Sequence, residues 1–348
     1  MKDVGIVGLP QSGKTTLFNA LTRAGAPAGG AAGRASVAAV PVPDPRVDVL
    51  AELERSRKKV FVQARFVDVA GLWAGAGGGL AAQGLGALRE ADALAMVLAA
   101  WDGGGPDPVE AAAELTLELT VADLESVAGG ADKAAKKARA GVKDAALEAE
   151  VLARARDLLD QGTPLRAADW APEEARVLRN FAPLTLKPAL AVLNLAEADA
   201  ASAADRAAEA EAKLGLPTVA VAAALEAEAA ELAPTDAADL LAGYGVERGG
   251  LDQVVGAAWR LLELLTFLTT GEDETRAWEV RRGATAPEAA GRIHSDHQHG
   301  FIRAEVIGYD DLVAAGGWDA ARSKGLLRTE SRSYVVREGD VLHIRFNV

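Results

Sequence analysis

Apolar and polar positions change rhythm several times along this chain. Residues 4–7 form a short unbroken apolar run, as a strand covered on both faces would, and residues 14–24 follow with helical spacing. Residues 25–35 are too rich in Gly and Ala to predict an element. Residues 61–69 and 93–100 are further strand-like runs. Residues 1–108 therefore alternate strand and helix, which predicts an α/β domain with a largely parallel sheet.

From residue 109 to about 182 the rhythm is helical. Leu117, Val121 and Leu124 make one apolar stripe, and Leu147, Val151, Leu158 and Leu159 a second. Gly129, Gly130 and Gly141 interrupt the run, and Lys133, Lys136, Lys137, Arg139 and Lys143 gather between and beside them. The pattern predicts an antiparallel helical hairpin with a basic tip; the lysines also read as a solvated helix face. Strand signals return at 189–193 and 218–222, which makes 109–182 an insertion into one domain built from 1–108 and 183–265. A helix over 251–265 closes that domain. Residues 266–348 read as a small α+β domain. It has a strand at 276–280, a helix start at Pro287, a strand-like Tyr334-Val335-Val336, a turn at 338–340 and a half-buried final strand in which Leu342, Ile344, Phe346 and Val348 alternate with polar residues.

Composition narrows the chemistry. The chain has 348 residues, enough for two or three domains, and no cysteine, which removes disulfides, thiolate catalysis and Cys-ligated metals. Its formal net charge of -13 gives no overall footprint for duplex DNA, so an RNA contact needs a local basic patch. The first residues read as a buried strand rather than a secretory leader, and no apolar run suits a membrane span; a cytoplasmic protein is expected.

Gly8-Leu9-Pro10-Gln11-Ser12-Gly13-Lys14-Thr15 fits the phosphate-loop pattern G-x-x-x-x-G-K-[ST] in full, with a strand before it and a helix after it. Such a loop turns backbone N–H groups inward on phosphate, and the helix N-terminus adds partial positive charge. Lys14 is expected to reach the β- and γ-phosphates and Thr15 to bind Mg²⁺. Asp68-Val69-Ala70-Gly71-Leu72 supplies the second signal: Asp68 for the Mg²⁺ shell, Gly71 for the γ-phosphate, and Leu72 where a water-orienting Gln stands in many GTPases. Asn194-Leu195-Ala196-Glu197 is the third. Guanine-specific proteins carry Asn-Lys-x-Asp there; Glu197 is a methylene longer and Leu195 replaces the Lys, which weakens guanine recognition. The same tetrapeptide also reads as a plain strand-to-helix cap. His294, His297, His299 and His343 all lie near the C-terminus, so the loop domain has no histidine base; the first three are expected to form a polar loop rather than a metal site. Trp73 and Trp101 flank the nucleotide face, with packing as their default role.

These segments resemble the YchF group of the Obg-related GTPase superfamily. The resemblance runs through residues 5–22, Val40-Pro41-Val42-Pro43-Asp44-Pro45-Arg46, residues 66–72, Ala122-Asp123-Leu124-Glu125, Arg276-Ala277-Trp278, residues 283–294, 300–306, 339–341 and 345–348. It implies a P-loop G domain, an inserted helical coiled coil and a C-terminal β-grasp (TGS-like) domain. It implies ATP in preference to GTP through Asn194 and Glu197, a hydrophobic residue at the catalytic-Gln position (Leu72), and association with the ribosome or RNA through hairpin and TGS domain. Carried over, the phosphate set is Pro10, Gln11, Ser12, Gly13, Lys14, Thr15, Thr16 and Gly71. The base set is Asn194, Leu195, Glu197 and Leu225, and the metal set is Thr15 and Asp68. The chain departs from the family pattern in several places. Residues 31–36 lack the switch Thr, and Gln11 replaces an Asn. Trp73 or Ala74 replaces a Lys, and the loop after Ala100 is short and lacks a His. Ala222-Ala223-Ala224 replaces Ser-Ala-Lys, and Ser331-Arg332-Ser333-Tyr334 replaces a Gly-Lys-Asp-Tyr-like turn. The departures touch hydrolysis and base selectivity and leave the phosphate loop intact. The expected function is ATP binding with slow Mg²⁺-dependent hydrolysis at most, gating a ribosomal partner; a GTPase and a non-hydrolysing nucleotide-binding scaffold are the alternatives.

Overall fold

A computed structural model describes residues 2–22, 35–69, 72–73, 80–246 and 249–347. Its strands are β1 Lys2–Val7, β2 Ala35–Pro41, β3 Lys59–Val60, β4 Gln63–Val69, β5 Ala93–Ala100, β6 Ala189–Leu195, β7 Thr218–Val221, β8 Leu264–Thr269, β9 Thr275–Arg281, β10 Phe301–Gly308, β11 Arg328–Glu330 and β12 Asp340–Phe346. The chain divides into two compact units, one of residues 1–40 and 65–261, the other of 41–64 and 262–348.

The first unit is built on a sheet of order β2-β4-β1-β5-β6-β7. β1, β5, β6 and β7 run parallel, with Ile6 beside Ala95, Leu98 beside Leu193 and Asn194 beside Val221. Every residue of β5 and β6 is buried, which explains their continuous apolar sequence: helices cover both faces. Helix Pro108–Arg139 starts on Asp107, whose carboxylate accepts from the Val109 N–H, and packs against helix Ala145–Asp160 through Val127, Ala131, Ala134, Val151, Leu152 and Leu159. Leu158 and Leu124 border that cluster. Two residues of the predicted first stripe are not in it: Leu117 and Val121 are exposed, as is Leu147. The buried face of the long helix is instead Ala111, Leu115, Leu119 and Ala122, about one helical step round; its many alanines let a face of modest hydrophobicity pack close.

Helix Gly250–Leu261 ends earlier than the predicted 265. Glu263 takes the left-handed conformation (φ 51°) and turns the chain into β8, so Leu264 and Leu265 are strand residues. The second unit's sheet has the order β11-β10-β12-β8-β9-β3. β8 and β9 pair antiparallel, as do β10 and β12, whereas β12 and β8 are parallel. Helix Ala286–Ile293 begins with a reciprocal cap between Thr285 and Glu288. Residues 334–336 make backbone bonds to Ala284 and Ala286 but no strand. Residues 41–64, read from sequence with the first domain, pack here. Arg46 bridges Asp44 and Glu338 at 2.7 and 2.6 Å, and Ser56 Oγ donates to the Gly271 carbonyl at 2.6 Å.

Candidate functional site

The loop 8–13 joins β1 to helix Lys14–Thr22 at the C-terminal edge of the parallel sheet, where open α/β sheets bind ligands. Two positions make it tight. Gln11 and Gly13 have φ of 63° and 87°. A Cβ on Gly13 would overlap the Asn194 amide nitrogen, and one on Gly8 would overlap the Val97 carbonyl and lie 2.6 Å from Ser12 Oγ. The backbone can wind this closely only because both residues are glycine.

Within the loop, Lys14 Nζ donates to the Leu9 carbonyl at 2.7 Å. Burial lowers the Lys14 pKa to about 8, with the nearby Asp68 charge opposing the shift. Thr15 Oγ1 donates to Asp68 Oδ2 at 3.0 Å. Asp68, the last but one residue of β4, is buried; its desolvation raises its pKa, and Thr15, Lys14 and the Val69 N–H pull the other way. Lys14 and Asp68 are thus both held against their charged forms, and an anion beside one and a cation beside the other would relieve both. Ser12 Oγ is buried without a hydrogen-bond partner among the described residues. Pro10, Gln11 and Thr16 are exposed at the mouth. Gly71 lies outside the described residues.

Asn194, near the end of β6, is buried and bridges the phosphate loop and the start of helix Ala223–Ala230. Its Nδ2 donates to the Ser12 carbonyl at 3.2 Å, and its Oδ1 accepts from the Ala223 N–H at 3.2 Å. Neither of these bonds uses the amide's second N–H. Leu195 and Leu225 are buried in the core cluster beneath the sheet edge, and Glu197 is exposed at the start of a short 3₁₀ turn. Leu72 is buried in the same core cluster, with its carbonyl accepting from Ala81 N–H at 2.7 Å. Trp73 does more than pack, since its Nε1 donates to the Gly8 carbonyl at 2.8 Å. Trp101 packs over Gly104 and reaches within 3.8 Å of a Gly13 Cβ position.

A family described as 50S ribosome-binding GTPases matches residues 3–129, and one described as a protein of unknown function (DUF933) matches residues 264–347. The chain is 40% identical to the ribosome-binding ATPase YchF of Haemophilus ducreyi over 99% of both chains, and 38% identical to that of Bacillus subtilis over the same shares. The chain belongs to the YchF family. This YchF-family chain is also 32% identical to the Obg-like ATPase 1 of Oryza sativa, over 99% of itself and 92% of the relative. The solved Schizosaccharomyces pombe YchF GTPase superposes with a TM-score of 0.86 at 27% identity, covering 99% of this chain and 97% of that one. No helix among the described residues is long and apolar enough to cross a membrane.

Two functional-looking carboxylates were not singled out as site residues from sequence. Glu226, one residue past Leu225, is buried and accepts from the Gly250 and Leu251 N–H groups at 2.6 and 3.0 Å, capping the first turn of helix Gly250–Leu261. Asp123 is fully buried and accepts from Leu184 N, Thr185 N and Thr185 Oγ1 at 2.7–2.8 Å. Both fix backbone. Asp123 could have been suspected from an acidic residue set among apolar neighbours; Glu226, among several Glu and Ala residues, carries no such signal.

Proposed function

We propose that this chain is a nucleoside-triphosphate-binding protein that prefers ATP, hydrolyses it slowly at most with Mg²⁺, and associates with the ribosome according to its nucleotide state. The observation that carries the reading is the phosphate loop. Two glycines sit where no Cβ fits, Lys14 is desolvated and short of counter-charge, and a hydroxyl and a carboxylate lie together at Thr15 and Asp68. Lys14 and the N–H groups of residues 11–16 would hold phosphate, with Pro10 shaping the loop, and the helix Lys14–Thr22 would add its N-terminal dipole. Thr15 and Asp68 suit Mg²⁺, which takes one or two protein oxygens and completes its shell with phosphate and water. When bound, Mg²⁺ would neutralise charge on the phosphates and orient them.

Asn194 would position the base with its remaining N–H while holding the loop through Ser12. Glu197, Leu195 and Leu225 remain the proposed base-side set; of these, the buried leucines would act by shaping the floor rather than by polar contact. The ribosome-binding and ATPase names of the relatives support the partner and the base preference. The basic residues near Gly141 and the C-terminal unit are the proposed ribosome or RNA contacts. The buried, aliphatic Leu72 favours a second reading, a nucleotide-binding scaffold without turnover, because its side chain cannot orient water.

Calorimetric titration of ATP and GTP with Mg²⁺ into the wild type and Lys14→Ala tests the first part. Tighter ATP binding that the variant loses supports it; tighter GTP binding refutes the base preference. Ribosome co-sedimentation that is the same with and without nucleotide refutes the gating.

A further inference from the structure

The long helix Pro108–Arg139 carries an apolar row that the fold leaves uncovered. Ala113, Leu117 and Val121 are spaced four residues apart and so form one line along the helix. Leu117 is 55% and Val121 49% exposed, on a helix whose other large apolar residues are at least partly covered. Isolated exposed leucines need no explanation, but this row borders a cleft.

The cleft, of about 620 Å³, lies on one flank of the row. Val109 and Thr116 of the helix form one wall, and Pro164 and Ala167, with Leu214 and Leu216, form the others. Two cations stand in it, Arg166 and Lys213. Arg166 has five N–H donors, and its hydrogen bond among the described residues is a long one, 3.4 Å to the Thr185 carbonyl. Asp123, the carboxylate that attracts it, is already saturated by three other donors. Among the described residues Lys213 makes an exposed pair with Glu209, which is worth little, and Asp107 attracts it from farther off. The opposite flank of the row is acidic: Glu110, Glu114 and Glu118 repeat every fourth residue, and Glu125 continues that side.

An aliphatic seam with a cationic groove on one side and carboxylates on the other is a helix-docking surface with a defined polarity. We propose that this face binds an amphipathic helix of a partner protein, with aliphatic residues on Leu117 and Val121, carboxylates toward Arg166 and Lys213, and lysines or arginines toward Glu110, Glu114 and Glu118. The flanks select against helices of uniform charge, because each such helix leaves one flank facing like charge. None of the residues that line the cleft belongs to the phosphate loop.

The test uses the full chain and three labelled helical peptides of about sixteen residues with one leucine seam. One has a glutamate flank and a lysine flank, one has lysine on both, and one glutamate on both; binding is read by fluorescence anisotropy. The bipolar peptide is expected to bind at least ~tenfold tighter than either uniform one, and Leu117→Asp and Lys213→Glu to weaken it by about tenfold each with unchanged melting temperature. Both substituted residues are exposed or at the rim, so folding is preserved; Arg166→Met adds the cleft-side arm. Equal affinity for the three peptides, no binding of any, or full retention by Leu117→Asp overturns the proposal. Self-association of the chain that Leu117→Asp abolishes also overturns it, giving the face to a second copy.

Discussion

Burial lowers Lys14 from its usual 10.5 to about 8, against the attraction of Asp68. A phosphate in the loop would supply counter-charge, so on the proposed reading the bound protein keeps Lys14 protonated while the free protein sheds the proton above about pH 8. Affinity and pH are then linked. The apparent dissociation constant is flat well below pH 8 and rises by a factor of 1 + 10^(pH − 8), about elevenfold at pH 9. Loss of binding in that window is not loss of fold. The folded pKa lies below the unfolded one, so below about pH 8 both states are charged and the folded state carries the full desolvation cost. Between about 8 and 10.5 the folded state releases its proton first, and this group's contribution to stability improves. The assay is ATP calorimetry at constant free Mg²⁺ from about pH 7 to about pH 9.5, with thermal melts at each pH. Lys14→Arg, charged throughout this range, should bind with no such slope. A flat wild-type curve to about pH 9.5, or the same slope in Lys14→Arg, refutes the reasoning.

Asn194→Ala leaves the Ser12 carbonyl and the Ala223 N–H without their partner; it should cost about 2–4 kcal/mol in a thermal or urea melt and weaken nucleotide binding with it. Gly13→Ala, with its Cβ meeting the Asn194 amide and its φ of 87°, should abolish ATP binding by calorimetry while the far-UV spectrum stays native. Glu226→Ala strips two N–H acceptors from the start of helix Gly250–Leu261 and should destabilise by about 1–2 kcal/mol, read by chemical denaturation. Leu72→Gln should lower stability by about 1–3 kcal/mol without raising single-turnover hydrolysis, since the side chain enters the core rather than the phosphate site.

The phosphate loop could be read directly from sequence because its geometry is forced by residue type. Glycine at 8 and 13 and Lys-Thr at a helix start leave few structures open, and β5 follows its apolar run residue for residue. Three features could not be read that way. Leu117 and Val121 have the spacing of a buried stripe, yet Leu115 and Leu119 have it too, and an alanine-rich helix gives no composition contrast to choose between the faces. Leu-Leu-Glu-Leu-Leu at 261–265 suits helix or strand; the left-handed Glu263 decides, and nothing in its side chain announces that conformation. Residues 41–64 follow and precede first-sheet strands in sequence, so their packing with 262–348 rests on distant partners such as Glu338 and Gly271 that no local pattern shows. The same holds for Asn194: its motif suggested a base contact, while the bonds to Ser12 and Ala223 depend on the register of β6 beside β5 and β7.

The loop residues are already paired with one another, and this bears on how strongly a nucleotide should bind. Lys14 holds the Leu9 carbonyl, and Thr15 holds Asp68. Phosphate and Mg²⁺ would replace these bonds rather than meet bare donors, so each new contact is worth only its excess over the one it displaces, about 1 kcal/mol for a neutral exchange and more where a charge is neutralised. The bonds that Asn194 and Trp73 make to Ser12 and Gly8 are of another kind, since they are made to carbonyl acceptors, for which an anion does not compete. The exchange at Lys14 and Asp68 neutralises two desolvated charges that the free protein holds at a disadvantage. Phosphate charge should therefore dominate affinity, with the base adding selectivity through a single N–H of Asn194. Comparing ATP, ADP and AMP at fixed Mg²⁺ separates the two contributions: a large drop with each phosphate removed fits this division, and affinities that are nearly equal across the three would place the binding energy in the base instead.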